Sequence, residues 1–131
     1  SPPAGEPVAC ADSAGNTCVI SVSVTPAADG SCSGSAISLA DYVGLLDDRK
    51  HKKIEWQLPR GYQFCTRAGD GVFLDDPNAP EDLFDLGNNA KCGPTLDWKR
   101  KKGDGNPYAY WLVFRNTANT RRCVKDPFIK N

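Results

Sequence analysis

Six cysteines, Cys10, Cys18, Cys32, Cys65, Cys92 and Cys123, carry the most definite chemistry in the chain. No two lie closer than eight positions, so neither C-x-x-C nor the short ligand spacing of zinc sites occurs. His51 is the only histidine, which rules out a Cys₂His₂ centre. An even number spread along the whole chain predicts disulfides formed in an oxidising compartment, and so a secreted or periplasmic protein. No cofactor is implied. Spacing leaves the connectivity open. Cys65–Cys92 is the best single expectation, because the strand ending at Cys65 and the long loop carrying Cys92 need a clamp.

Other catalytic chemistry finds little support. A nucleophilic triad needs a histidine beside Ser or Cys. His51 instead lies in Arg49-Lys50-His51-Lys52-Lys53, a run expected to form a solvated loop. There is no G-x-S-x-G and no P-loop. A glycosidase pair could come from Asp47, Asp48, Glu55, Asp70, Asp75, Asp76, Glu81, Asp82, Asp85 or Asp97, but nothing in their spacing ranks them. Asp70, Asp75 and Asp76 are oxygen donors of the kind calcium takes, although the EF-hand pattern is not matched. Acidic loops more commonly keep a sheet edge soluble. No catalytic residue is assigned.

Binding chemistry is better represented. Lys99-Arg100-Lys101-Lys102 follows Trp98, and with Arg121-Arg122 it could form a basic patch for an acidic glycan, a phospholipid headgroup or an acidic protein. The ordinary use of such a run is a solvated turn flank whose lysines block edge pairing. Tyr108, Tyr110 and Trp111 could offer ring faces to a sugar, although a central strand normally packs such rings into the core. Alternation would put Tyr108, Tyr110, Leu112 and Phe114 on one face and Trp111 with Val113 on the other.

These residues need a scaffold. A chain of 131 residues makes one domain. Sixteen Lys+Arg balance sixteen Asp+Glu, so no net field recruits nucleic acid. No apolar run approaches the roughly 20 residues of a membrane-spanning helix. Residues 1–16, rich in Pro, Gly and Ala, read as an extended arm tethered by Cys10, with the domain proper at 17–131. The arm lacks the basic and apolar regions of a leader, so a secreted protein would show this sequence in its mature form.

Within 17–131 the clearest signal is period-two alternation in β-branched residues. Cys18, Ile20, Val22 and Val24 share one face, and Ile54, Trp56 and Leu58 repeat the pattern. A strand at 35–39 with a helical turn at 40–46, short strands at 62–66, 72–74 and 83–86, a doubly buried strand at 108–114, and an edge strand near Pro127 complete the set. About seven or eight short strands separated by long loops predict an antiparallel β-sandwich.

The second half also resembles the DP-EP family of small bacterial proteins. The resemblance lies in Ile54-Glu55-Trp56-Gln57-Leu58, Gly61-Tyr62-Gln63-Phe64, Gly71-Val72-Phe73, Tyr108-Ala109-Tyr110-Trp111-Leu112-Val113 and the closing Asp126-Pro127-Phe128-Ile129-Lys130-Asn131. It implies an immunoglobulin-like β-sandwich and no particular activity. The six cysteines and the long arm depart from the family pattern. The expected protein is thus an all-β, immunoglobulin-like, disulfide-stabilised binding module acting on a protein or glycan through loops or sheet edges. A small sugar-binding or hydrolytic protein is the alternative. So is a self-assembling subunit that pairs its arm or its Asp126–Asn131 segment with a neighbour's edge.

Overall fold

The alternating segments become strands in the computed structural model, which describes residues 5–10, 15–46, 50–86 and 91–131. Among the described residues these are β1 (Val8–Ala9), β2 (Thr17–Ser21), β3 (Ser23–Val24), β4 (Ile37–Ser38), β5 (Tyr42–Gly44), β6 (Lys53–Gln57) and β7 (Tyr62–Cys65). They continue with β8 (Gly71–Leu74), β9 (Phe84–Leu86), β10 (Cys92–Gly93), β11 (Thr95–Arg100), β12 (Pro107–Asn116), β13 (Arg122–Lys125) and β14 (Phe128–Lys130). Single 3₁₀ turns stand at Gly34–Ala36 and Thr66–Ala68. The protein is all-β.

β12, ten residues long, is the spine of the larger sheet. On one side it pairs with β14 and then β13, in one register interrupted at Pro127, whose carbonyl accepts the Tyr110 N–H at 3.0 Å. On the other side it pairs with β8 and then β7, and β7 carries β10. Beyond β14 lie β5 and then β1. The second sheet runs β2-β6-β11-β9, and β3 with β4 forms a separate ribbon.

The alternating faces of the two sheets meet in one core. Tyr108, Tyr110, Leu112 and Phe114 of β12 are buried, as are Ile54 and Trp56 of β6 and Leu96 and Trp98 of β11. Trp56 stands edge-on to Trp98 at 5.0 Å and to Tyr110 at 5.5 Å, and its Nε1 donates to the Tyr110 hydroxyl at 3.2 Å. Edge-to-face contact suits the ring quadrupoles, and the hydrogen bond satisfies both polar tips out of water.

Three disulfides join Cys10 to Cys18, Cys32 to Cys123 and Cys65 to Cys92. Cys65 and Cys92 are directly opposed in the β7–β10 pair, so the expected clamp is present. Bonds of this kind form in an oxidising compartment.

Several expectations are corrected. The sheets are mixed rather than purely antiparallel, because β2 runs parallel to β6 and β5 runs parallel to both β1 and β14. Alternation fixes which face of a strand is apolar but not the direction of its partner. The segment expected to turn helically at 40–46 holds β5 instead. Pairing with neighbours on both sides and burial of Val43 outweigh its weak helical pattern. The expected last edge strand is split at Pro127: β13 pairs only with β12 and lies at an edge, whereas β14 is flanked by β12 and β5. β12 is not buried on both faces: the parity is as expected, but Trp111 on the outer face is 38% exposed. Many strands are shorter and more numerous than expected.

Candidate functional site

The outer face of the second sheet gathers most of the sequence's binding residues. Register sets Thr17, Lys53, Lys99 and Asp85 side by side across β2, β6, β11 and β9. Two residues along, Val19, Glu55 and Asp97 form the next row on the same face. A pair of facing cations therefore adjoins a pair of facing carboxylates. Lys53 Nζ reaches diagonally to Asp97 at 3.1 Å, and Gln57 Nε2 donates to Glu55 at 2.6 Å. Lys101 extends the basic end and stands 3.7 Å from Asp85. Two shallow depressions open here. One, of about 480 Å³, is lined by Asn16, Lys52, Lys53, Lys99, Arg100 and Lys101. The other, of about 470 Å³, shares Lys53 and Lys99 and adds Asp85, Leu86, Asp97 and the fully buried Trp98.

Backbone bonds hold the basic end in place. The Asn16 carbonyl accepts the N–H of Lys52 at 2.8 Å, and the Lys52 carbonyl accepts that of Arg100 at 2.8 Å. The Arg100 side chain turns towards Leu46, His51 and Asn131. Its Nε donates to Asn131 Oδ1 at 2.9 Å, its Nη1 to the carbonyls of Leu46 at 2.5 Å and His51 at 3.1 Å, and its Nη2 to the Asn131 backbone oxygen. A guanidinium with its donors committed in this way is a structural tie between β11, Asn131 after β14, and the carbonyls of Leu46 and His51.

His51 corrects the expectation of a solvated loop. It is fully buried, and its Nδ1 accepts the Leu46 N–H at 3.0 Å, so the neutral ring carries its proton on Nε2. Asp104, beside this tie, accepts from Tyr108 Oη, the Asn106 N–H and Asn131 Nδ2. Partial burial works against its ionisation, but these hydrogen bonds outweigh it and hold the carboxyl below the usual carboxylate range.

The remaining candidates are placed elsewhere. Trp98 is fully buried, 4.8 Å from Phe84, so its ring is not part of any surface. Lys102 is exposed, and its carbonyl accepts from Asn131 Nδ2 at 2.7 Å. Arg121 and Arg122 do not join the lysines. Arg122 pairs with Arg115 near one end of β12, and Asn131 lies beyond the other end, roughly 25 Å away along the strand. Arg121 Nη1 donates to the Asp29 carbonyl, and Arg122 Nη2 to that of Ala68. Trp111 lies opposite Phe73 on the outer face of the larger sheet, a pair of half-open rings separate from the charged rows.

The calcium candidates do not converge. Asp70 is buried and chelated by Arg115, while Asp76 Oδ1 accepts the Asn78 N–H at 2.9 Å. Asp75 makes a backbone bond to Ala109. Among the described residues no group of three or more His, Cys, Asp or Glu is placed to hold a metal ion. Asp47 and Asp48 lie outside the described residues.

Sequence reading missed Asn16, Lys52 and Lys53 as partners of Lys99 and Lys101. The usable signal was the alternation itself, which puts Lys53 and Lys99 on the polar faces of strands whose cores carry Ile54 and Trp98. Compared with known proteins, the chain matches no family model and no curated sequence.

Proposed function

We propose that this protein is a secreted or periplasmic, non-enzymatic binding module that takes an anionic ligand on the outer face of its second sheet. The observation that carries the reading is the facing pair Lys53 and Lys99, extended by Lys52 and Lys101 around an open depression. Three disulfides support an extracytoplasmic setting. An immunoglobulin-like arrangement is supported by two sheets sharing one core, although the parallel pairs depart from the usual order of such domains. Kinship with the DP-EP proteins rests on the motifs quoted above.

A sugar-hydrolysing reading draws on Glu55 and Asp97, which face each other across β6 and β11. Both are already engaged, by Gln57 and Lys53, on an open sheet face rather than in a cleft. Binding is therefore the stronger reading. The test is a panel of immobilised acidic probes, comprising a uronic-acid oligosaccharide, an acidic peptide and phosphatidylserine vesicles. We expect at least one to be retained by the native protein and released by a Lys53→Glu/Lys99→Glu variant. Equal behaviour of the two proteins towards every probe would exclude the reading.

A further inference from the structure

We infer that the ligand of this face is an acidic oligosaccharide, with its acidic groups at Lys53, Lys99 and Lys101 and its hydroxyls at Glu55 and Asp97; the inference rests on the binding-module reading above. Directly opposed side chains on an antiparallel pair have Cβ atoms about 4.5–5.5 Å apart, and like charges there oppose pairing. β6 and β11 place two such pairs in succession, Lys53 with Lys99 and Glu55 with Asp97. Internal pairing relieves them only partly. The Lys53–Asp97 bridge has side chains 43% and 42% exposed, so water screens it. Lys99 makes no ion pair among the described residues. Lys53 is held by Asp97 and Lys101 stands near Asp85, so Lys99, with Asp85 opposite it on β9, is the cation of the row most open to a ligand that brings negative charge.

The acidic row decides which ligand. A bilayer surface laid on this face would press Glu55, Asp97 and Asp85 against its own anionic headgroups. A nucleic acid would bring a repeating phosphate charge against the same carboxylates, and a chain of zero net charge offers no wider field to offset this. A uronic or sulfated oligosaccharide carries acid groups and hydroxyl donors a few ångströms apart. Carboxylates accept hydrogen bonds from hydroxyls; here Glu55 keeps Oε1 beside its bond from Gln57, and Asp97 offers its bridged Oδ2, since its Oδ1 is buried. The two depressions, sharing Lys53 and Lys99, give such a chain a continuous path across the sheet.

Calorimetric titration of the full chain tests this. The probes are a uronic-acid oligosaccharide, a heparin oligosaccharide, a neutral glucan of equal length, phosphatidylserine vesicles and a single-stranded oligonucleotide. We expect one or both acidic oligosaccharides to bind and the neutral glucan not to bind. The uronic and heparin arms separate carboxylate from sulfate as the acid group. Lys99→Gln and Lys53→Gln should each weaken binding by about tenfold, equivalent to about 1.4 kcal/mol. Asp97→Asn should weaken it as well, whereas a site that attracts only negative charge would bind more tightly once that carboxylate is neutralised. Unchanged unfolding midpoints would show that the variants remain folded. Tighter binding by Asp97→Asn, or full affinity in Lys99→Gln, overturns the inference. Lysine-dependent binding of vesicles or oligonucleotide without either oligosaccharide overturns it too, while leaving the binding-module reading standing. If no probe of any class binds the native protein, both fall together.

Discussion

The Asp70 carboxylate, with no exposed side-chain surface, receives Arg115 Nε at 2.6 Å and Arg115 Nη2 at 2.9 Å. The Cys65 N–H donates to the same group at 2.9 Å, and Arg122 Nε stands 3.7 Å away. One aspartate thereby ties β12 and β13 to the turn that follows β7. The pairing also raises the Arg115 pKa, mainly through the hydrogen bond to Asp70, so the guanidinium stays charged at any working pH. Removing one member of a buried pair strands the other. Asp70→Ala should therefore destabilise the fold by about 3 kcal/mol, the low end for a buried pair because Arg115 keeps some contact with water. Urea unfolding would read this directly. A loss under about 0.5 kcal/mol would place the residue among ordinary surface substitutions.

Trp56 and Trp98 offer a matched comparison. Both are fully buried, and they stack edge-on against each other. Trp56 Nε1 has the Tyr110 hydroxyl as acceptor, whereas Trp98 Nε1 has no hydrogen-bond partner among the described residues. Replacing either with Phe removes similar ring volume. Only Trp56→Phe also leaves a buried hydroxyl without its donor, while Trp98→Phe relieves an unpaired N–H. Trp56→Phe should thus cost more than Trp98→Phe, by about 1–3 kcal/mol. Equal midpoints in paired denaturant melts would contradict this.

What the sequence revealed and what it hid divide along a physical line. Alternation exposed the inward faces of β2 and β6, because burial imposes a period of two on every residue of a half-buried strand, whereas the all-apolar β12 showed two parities without showing which one faces water. Partner and direction are set by contacts far apart in the chain, so the parallel β2–β6 pair left no local trace. The same limit governed the site. Arg100 and Lys101 look alike in a basic run, yet one is consumed by the carbonyls of Leu46 and His51 and the other faces solvent. His51 was misread because its cationic neighbours suggested water, while Leu46 and Arg100 carry it inward. The facing of Lys53 and Lys99 depends on register, which composition does not encode.

The disulfides should differ in weight. Cross-linking limits the unfolded chain more as the enclosed loop lengthens. Cys32–Cys123 spans 91 residues, Cys65–Cys92 spans 27 and Cys10–Cys18 spans 8. On the chain-entropy account these contribute about 4.6, 3.5 and 2.5 kcal/mol. Double alanine variants of each pair, compared by thermal and urea unfolding, should lose stability in that order. Titration of the denatured, unreduced protein should find no thiol among these six cysteines. The largest loss on removing Cys10–Cys18 would show that native-state docking of the arm, rather than loop closure, dominates.

Tyr110 makes stability sensitive to alkali. Burial pushes its hydroxyl well above the ordinary 10.0, and the hydrogen bond from Trp56 offsets only part of that effect. Tyr108 is raised as well, by burial and by its hydrogen bond to Asp104. The folded chain therefore holds these protons more tightly than the unfolded chain does. Below pH 10 both states are protonated and the contribution is complete. As pH rises past 10 the unfolded chain ionises first, so unfolding becomes progressively easier, by up to about 1.4 kcal/mol per pH unit for a fully retained proton. Tyr110→Phe removes that linkage. At neutral pH the variant should be weaker by about 1 kcal/mol, having lost the Trp56 hydrogen bond. Above pH 10 its stability should fall less steeply than that of the native protein. Urea unfolding at a series of pH values from neutral to alkaline would give both slopes. Parallel curves above pH 10 would mean that the Tyr110 proton is no more tightly held in the fold than in the open chain.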